Sequence, residues 1–265
     1  MNAAASFYSP VQAIAGVVIR ELYRRKDFYV LFVLTALITL VLGSINFFNE
    51  DKIVRPLKEL CLFLIWVSSL IIAITTAARQ IPAERENRTL FPLLAKPVTR
   101  NQVVLGKFLG CWGASGLCLV VFYLFFATII GAREHALPLA HYCQAAVLHW
   151  FLLGIVTALT LLGSIVFAAP SSTNTITFVL VAGILLLAGH LNAIALTLRQ
   201  PLQIIVYAIY YALPHLAIFD MRELIIHSRP TVPWLIWLAA LAYAAVYTAL
   251  FLMATCWLFR KKPVN

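Results

Sequence analysis

The sequence predicts an all-α membrane protein with six transmembrane helices, and composition, the lengths of apolar runs and the placement of charge carry this prediction. Of the 265 residues, 63% are hydrophobic and only 11% are charged, whereas in a soluble domain about a quarter of the residues are charged. The length suits one membrane domain with short extensions. No polar stretch is long enough for a second, soluble domain, so a separate globular catalytic domain is not expected.

Six apolar segments have the length of about 20 residues that a membrane-spanning helix needs. The predicted spans are residues 28–48, 60–78, 108–132, 142–168, 174–198 and 234–259. The fourth and fifth come from one uncharged run, which we divide around Pro170 because residues that favour helix starts follow this proline. The apolar run 202–214 has a length typical of re-entrant or interfacial segments, so we do not assign it as a seventh span.

The basic residues are distributed unevenly between the two sides of these spans. Four Lys and Arg residues precede span 1, six lie between spans 2 and 3, and three follow span 6, against seven on the other side. By the positive-inside rule, both termini of this multi-pass protein of the cytoplasmic (inner) membrane face the cytoplasm. Because the net charge of +10 flanks the spans and forms no soluble basic face, a nucleic-acid partner is not expected.

The N-terminal segment 9–26 is predicted to be an amphipathic helix on the cytoplasmic membrane surface. Ser9 to Gln12 form a capping-box pattern with Pro10 at the first helical position. The apolar residues that follow at helical spacing are Val11, Ile14, Val18 and Leu22; the opposite side carries Gln12, Gly16, Arg20 and Arg24. Residues 1–19 contain no Lys or Arg, so the basic start of a secretory signal is missing.

The segment between spans 2 and 3 (79–107) concentrates charge in a chain that is otherwise almost uncharged. Residues Leu90, Leu93 and Leu94 have the spacing of one apolar helix face, and Thr99 to Gln102 form a second capping box that places a helix start near Arg100. We predict a short, rigid cytoplasmic feature that docks into a groove of a partner protein. The alternative is a loop on the membrane lipid, but anionic headgroups would repel its Glu84 and Glu86.

Residues 83–110, which extend from this segment into span 3, resemble the signature of type 2 (ABC-2) transporter permeases, a pattern E-R-E-x-G-T-L-x-x-L-L-x-x-P-V-x-R followed by G-K-F. The residues that fall on the pattern are Glu84, Arg85, Glu86, Thr89, Leu90, Leu93, Leu94, Pro97, Val98, Arg100, Gly106, Lys107 and Phe108. Arg88 stands where many members have glycine, and Pro92 interrupts the apolar face. Residues 213–222 also resemble a piece of permeases linked to multicopper-enzyme maturation.

The resemblance implies that this chain is the permease subunit of an ATP-driven exporter. The segment 79–107, including Arg88, would be the coupling helix region that inserts into a separate ATP-binding subunit, and this partner would bind ATP and Mg²⁺. A second copy or a paralogous permease is expected, since six spans are too few for the usual cavity. The chain itself has no G-x-x-x-x-G-K-[ST] loop and no catalytic constellation, so it is not expected to be an enzyme.

Several residues, most of them polar, are predicted on the outer half of the protein, where they would line a pathway or gate. They are Asn46, His149, His190, Asn192, Pro214, His215 and Asp220. The histidines could instead bind a soft cation, or all of these side chains could simply form interhelical hydrogen bonds. The external segment 199–233 is either a re-entrant gate or a cap. The five cysteines form no C-x-x-C pair and are interpreted as packing residues, with no metal site.

Two other functions stay open at this stage. A secondary carrier or channel would work without an ATPase, although such carriers usually need a membrane carboxylate and the six spans contain none. A membrane maturation factor for an extracytoplasmic enzyme, for example a copper enzyme, would bind its partner through 199–233. Apolar and aromatic span walls allow lipids, drugs or peptides as substrates, and the histidines allow a metal or sulfur species.

Overall fold

The computed structural model describes residues 3–24, 26–44, 50–86, 98–134, 138–167 and 169–261, and all regular secondary structure in these ranges is helical. The helices are α1 (Ala3–Arg24), α2 (Lys26–Ser44), α3 (Glu50–Arg79), α4 (Pro82–Glu86), α5 (Arg100–Glu134), α6 (Leu139–Val166), α7 (Pro170–Thr197), α8 (Leu202–Ala212), a 3-10 helix (Leu216–Phe219), α9 (Arg222–Ile226) and α10 (Trp234–Lys261). The all-α prediction is confirmed.

Five helical stretches in the described part of the chain are long and apolar enough to cross a membrane. They are Val54–Glu86, Arg100–Ala132, Leu139–Val166, Leu202–Ile226 and Trp234–Lys261. Four coincide with predicted spans 2, 3, 4 and 6, whereas Leu202–Ile226 consists of three short helical pieces separated by turns. Two shorter apolar stretches, Tyr29–Val41 and Pro170–Leu186, lie in predicted spans 1 and 5. The count of six spans stays a prediction.

The core of the bundle lies where α3, α5 and α6 contact one another. Its largest buried side chains include Ile65 of α3, Phe122 and Phe126 of α5, and Leu152 of α6. The other side of the bundle helices carries exposed apolar residues, such as Leu235 of α10, as lipid-facing helix surfaces do. Helix α10 packs mainly on α6.

Helix α1 differs from the prediction at its start. The helix begins at Ala3 and continues through Pro10, so the predicted capping box at Ser9 is wrong. Three consecutive alanines, which are the strongest helix formers, extend the helix to the N-terminal side of Ser9. Pro10 removes one backbone hydrogen bond, and the helix continues past it.

The predicted apolar face of α1 is confirmed, but helix α5 covers it. Val11, Val18 and Leu22 are buried and Arg20 is exposed. The close approach occurs at two glycines of α5: a Cβ at Gly110 would lie 2.7 Å from Val18 Cβ and 3.0 Å from Ala15 Cα. The prediction that this face lies against lipid is therefore wrong. The two glycines of α5 have no side chain and so leave a groove for α1, which the sequence pattern of α1 does not show.

Two further helix boundaries bear on the predicted spans. Helix α6 ends at Val166 and α7 begins at Pro170, which confirms the division of the long uncharged run but moves the start of α7 four residues before predicted position 174. Ala169 is the N-cap and Pro170 is the first helical residue. Proline suits this position because its fixed φ is helical and its missing N–H would have no partner there.

The external segment 199–233 lies against α7 at its beginning and against the bundle at its end. Among the described side chains of α8, none is buried. In contrast, Leu216 and Phe219 of the 3-10 helix and Ile225 and Ile226 of α9 are buried in the main hydrophobic cluster. The second half of this segment therefore has an apolar face that packs on α3 and α6.

Candidate functional site

One end of the bundle, which the sequence predicts to be cytoplasmic, brings together the end of α3, the short α4, the start of α5 and the end of α10. Helix α5 begins with the predicted capping box. The backbone N–H of Thr99 donates to Gln102 Oε1 at 2.7 Å, and the Gln102 N–H donates to Thr99 Oγ1 at 3.3 Å. This reciprocal pair satisfies two backbone donors at the helix start, and it confirms the helix start at Arg100.

Lys107 of α5 holds the turn at Gln80 and helix α4. Its side chain is buried, and Nζ donates to the Gln80 carbonyl at 2.9 Å, to Gln80 Oε1 at 3.3 Å and to Glu84 Oε1 at 2.7 Å. An ammonium has three N–H donors, and all three find acceptors here. Because a buried charge is tolerated only with such partners, the turn at Gln80 and helix α4 are held against α5.

Arg100 connects the start of α5 to the end of α10. Its Nη1 donates to the Phe259 carbonyl at 2.7 Å and to the Arg260 carbonyl at 3.2 Å. The guanidinium also lies 5.7 Å from the centre of the Phe259 ring. In return, Arg260 Nε donates to Asn101 Oδ1 at 3.2 Å. A cation at the carbonyl end of a helix stabilises it through both hydrogen bonds and the helix dipole.

An apolar cluster lies directly beneath these polar contacts. Phe259 packs with Ile81, Val104 and Ile165, which come from the turn after α3, from α5 and from α6. Pro82, the first residue of α4, is also buried. The beginning of the predicted coupling region therefore packs on the bundle through apolar contacts as well as through Lys107.

The predicted coupling residues divide into three groups. Arg88, Thr89, Leu90, Leu93, Leu94 and Pro97 lie outside the described residues. Lys107, Arg100 and Gly106 have contacts within the chain: those given above, and for Gly106 the close approach to Ile14 of α1. Glu84 and Arg85 are partly exposed and Glu86 is exposed, so of this group Glu86 is the side chain best placed to meet a partner.

A pair of tryptophans joins α5 to α6, and we did not predict it from the sequence. Trp112 Nε1 donates to the Trp150 carbonyl at 2.9 Å, Trp150 Nε1 donates to the Trp112 carbonyl at 3.0 Å, and the rings stack with centres 4.4 Å apart. Each indole faces a glycine of the other helix, Gly154 or Gly116. The repeated W-x-x-x-G spacing was the available signal, since it places an indole and a small residue on one helix face.

His149 is buried inside the bundle. Its Nε2 is hydrogen-bonded to Ser69 Oγ at 2.8 Å, and its ring lies edge-on to Tyr123 with centres 6.2 Å apart. His190 is exposed, and its Nδ1 lies 3.0 Å from the Leu186 carbonyl in its own helix. The described residues contain no group of three His, Cys, Asp or Glu side chains that could hold a metal ion.

Asp220 forms a structured ion pair with Arg222 at the end of the bundle opposite to Arg100. Arg222 Nη2 lies 2.6 Å from Asp220 Oδ2 and Nε lies 2.8 Å from Oδ1, a bidentate arrangement. The guanidinium also stacks on Trp66 of α3 at 4.8 Å. A cation on an aromatic face is stabilised by the ring quadrupole, so α9 is fixed on α3 at this point.

A cleft of about 420 Å³ opens beside this ion pair. Its lining comes from the first half of α3 and from the end of segment 199–233: Pro56, Glu59, Leu60, Phe63, Asp220, Arg222, Glu223 and Ile226. Three carboxylates and one guanidinium therefore border the cleft. The prediction that Asp220 lies near the outer water interface stays a prediction, although the exposed Glu59 and Glu223 favour it.

The remaining outer residues have separate positions. Pro214 is buried, and the His215 N–H donates to the Tyr243 hydroxyl of α10 at 2.9 Å. Asn46 lies outside the described residues, and the structure describes the backbone but not the side chain of Asn192. Of the predicted outer residues, the structure therefore connects His215 to α10 and places Asp220 at the cleft, but it does not bring His149 and His190 to one described site.

Comparison with known families covers almost the whole chain. Residues 12–264 match the family described as ABC-2 family transporter protein. No curated protein matches the chain at a significant level of similarity.

Proposed function

The chain belongs to the ABC-2 transporter family, and from this premise we propose that it is the permease subunit of an ATP-driven exporter of the cytoplasmic membrane. The match confirms the resemblance that residues 83–110 indicate. The chain is a multi-pass membrane protein, with both termini proposed to face the cytoplasm. The link to multicopper-enzyme maturation rests only on the resemblance of residues 213–222.

A separate ATP-binding subunit supplies the energy in this proposal and binds ATP and Mg²⁺. Closure of two such subunits displaces the coupling regions of two permease copies, or of this chain and a paralogue. Lys107 joins the coupling region to α5, and α4 follows α3 after one turn, so displacement of this region moves α3 and α5. This attachment supports the proposal more than any other feature of the geometry.

The outer part of the protein supplies the gate in this proposal. The 3-10 helix and α9 pack on α3 and α6, and Arg222 contacts Trp66 of α3. Movement of α3 therefore displaces the α3 residues that line the cleft and the contact that holds α9. The spans comprise α2 and α7 together with α3, α5, α6 and α10, which makes six.

Charge reversal at Glu86 tests the coupling role. Glu86 is exposed, so Glu86→Lys changes the surface offered to a partner without breaking the Lys107 contacts. We expect co-purification with the ATP-binding subunit to fall about tenfold, the effect of one unfavourable charge contact of about 1.4 kcal/mol. The measurement is the amount of that subunit, identified by mass spectrometry, that is recovered with the tagged permease.

The matched control is Glu223→Lys, the same charge reversal on the exposed surface of α9, which should leave co-purification unchanged. Equal recovery of the ATP-binding subunit with both variants would contradict docking at Glu86. Substrate flux by the purified chain in liposomes that contain no ATPase would contradict the exporter proposal and favour a secondary carrier.

A further inference from the structure

Helix α10 contacts the coupling region at one end and the external segment nearer the other. At the cytoplasmic end, Arg100 donates to the Phe259 and Arg260 carbonyls. Nearer the outer end, the Tyr243 hydroxyl accepts a hydrogen bond from the His215 N–H at 2.9 Å and lies 3.2 Å from His215 Nδ1. A helix of 28 residues therefore links two parts of the protein that have no sequence proximity.

A second contact strengthens the outer attachment. The Tyr247 hydroxyl donates to the Tyr211 carbonyl at the end of α8, at 3.2 Å. The rings of Tyr243 and Tyr247 pack together with centres 4.8 Å apart, and Tyr210 lies edge-on to His215 with centres 4.4 Å apart. The junction between α8 and the 3-10 helix is thus held to one face of α10 by two tyrosines one helical turn apart.

Helix α10 is suited to move as one body. Its sequence contains no glycine or proline, so nothing in it favours a kink. Its buried side chains, among those described, are Ala240, Ala244, Thr255 and Phe259. The small side chains allow a close contact with α6, where Trp237 Nε1 also donates to the Gln144 carbonyl at 3.2 Å. Phe259 and the Arg100 contacts hold the cytoplasmic end.

We propose that α10 transmits displacement of the coupling region to the external segment, with Arg100 and Tyr243 as the positioning residues at its two contacts. The proposal depends on the proposed function only for the force that displaces the coupling region. The two contacts are separated by 16 residues, about 24 Å along a helix. The effects of two substitutions so far apart are normally additive. Non-additive effects of substitutions at Arg100 and Tyr243 are therefore a specific expectation of this proposal.

Hydrogen exchange on the purified chain in nanodiscs tests the link without any ATPase. Arg100→Ala releases the cytoplasmic end of α10, and we expect exchange at residues 213–219 to become faster by roughly twofold or more. Tyr243→Phe should have the same effect through direct loss of the hydroxyl. In the double variant, exchange at residues 213–219 should be little faster than in either single variant. Arg100→Lys, which keeps a cationic donor, should restore much of the protection from exchange.

Two matched substitutions serve as controls. Arg20→Ala removes an exposed arginine of α1, and Tyr211→Phe removes a hydroxyl from the external segment but keeps the carbonyl that Tyr247 contacts. Neither should change exchange at 213–219. If Arg100→Ala accelerates exchange only around residues 98–103 and 256–261, or if the effects of Arg100→Ala and Tyr243→Phe are fully additive, transmission through α10 is overturned.

The same measurement on the complex with the ATP-binding subunit separates this inference from the proposed function. A nucleotide-dependent change in exchange at 213–219 that disappears in Arg100→Ala, while the subunit still co-purifies, supports transmission through α10. The same change retained in full in Arg100→Ala overturns it. Failure of the wild-type chain to bind such a subunit counts against the proposed function, and the measurement on the chain alone still decides whether α10 links the two regions.

Discussion

Lys107 shows how one buried charge determines the geometry where the coupling region meets the bundle. Lys107 is 2% exposed, and its ammonium has acceptors on Gln80 and Glu84. Removal of one partner of a buried ion pair lowers stability because the remaining charge stays buried without an opposite charge or a hydrogen-bond partner. Glu84 is 27% exposed, and water therefore reduces the cost at this site.

Lys107→Met is expected to lower the free energy of unfolding by about 1–3 kcal/mol, less than the about 3–5 kcal/mol of a fully buried ion pair because Glu84 is partly solvated. Unfolding midpoints in denaturant, measured on the purified chain in nanodiscs, check this. The control is Lys26→Met at the exposed start of α2, expected to change the same free energy by less than about 0.5 kcal/mol. Equal effects of the two substitutions would show that the Lys107 contacts contribute nothing to stability.

The sequence predicted where Glu84 and Lys107 lie but not that they contact each other. The resemblance to the family assigned both to the partner interface, whereas the structure pairs them within the chain at 2.7 Å. By sequence alone, Glu84 in a predicted loop and Lys107 just before a predicted span both have the pattern of exposed surface residues. Only the packing of α4, which follows the turn at Gln80, beside α5 brings them together.

At the scale of elements, the contact between α1 and α5 depends on missing side chains. The segment Gly106 to Gly110 has the small-x-x-x-small spacing that allows two helices to approach closely. A Cβ at Gly110 would meet Val18 Cβ at 2.7 Å and the Ala15 carbonyl oxygen at 3.0 Å. Because part of this obstruction is backbone, a side-chain rotation cannot relieve it.

Gly110→Ala is expected to push α1 away from α5 and to lower the free energy of unfolding by about 1–3 kcal/mol, as overpacking does. Gly16→Ala is the matched control, because a Cβ at Gly16 meets nothing within 4 Å and alanine favours a helix by about 0.5–1 kcal/mol. Thermal unfolding of both variants in nanodiscs compares them. A Gly110→Ala protein as stable as wild type would mean that α1 does not sit against α5 as closely as described.

At the scale of the whole molecule, the number of crossings depends on the external segment. If Leu202–Ile226 crossed the membrane as one span, residues after it would return to the cytoplasm. Its pieces α8, the 3-10 helix and α9 contain 11, 4 and 5 residues, and each is shorter than the about 20 residues that a span needs. We therefore expect this segment to stay on the outer side.

Thiol labelling in intact cells tests this topology in a variant whose five native cysteines are replaced. Ser228→Cys, at an exposed position after α9, should react with a membrane-impermeant maleimide added outside. Glu86→Cys, at the exposed end of α4, should react only after the membrane is made permeable. Labelling of both positions under the same condition would contradict three crossings between them and therefore the six-span arrangement.

The sequence by itself determined the class of the protein, the approximate positions of its apolar helices, the start of α5 at Arg100 and the family. These properties follow from local quantities: the transfer free energy of a run of about 20 residues, and hydrogen bonds between residues three positions apart, as in Thr99 and Gln102. The start of α1 at Ala3 was missed because two local signals compete there, the alanine run and the Ser9 pattern.

The tertiary structure alone decided which helix faces meet. Arg100 contacts Phe259 across 159 positions of sequence, and Trp112 contacts Trp150 between two helices that are apolar on all sides. In a soluble protein, the contrast between apolar and polar faces predicts which side of a helix is buried. A membrane helix lacks that contrast because lipid and protein core are equally apolar, so packing, small residues and hydrogen bonds determine its neighbours.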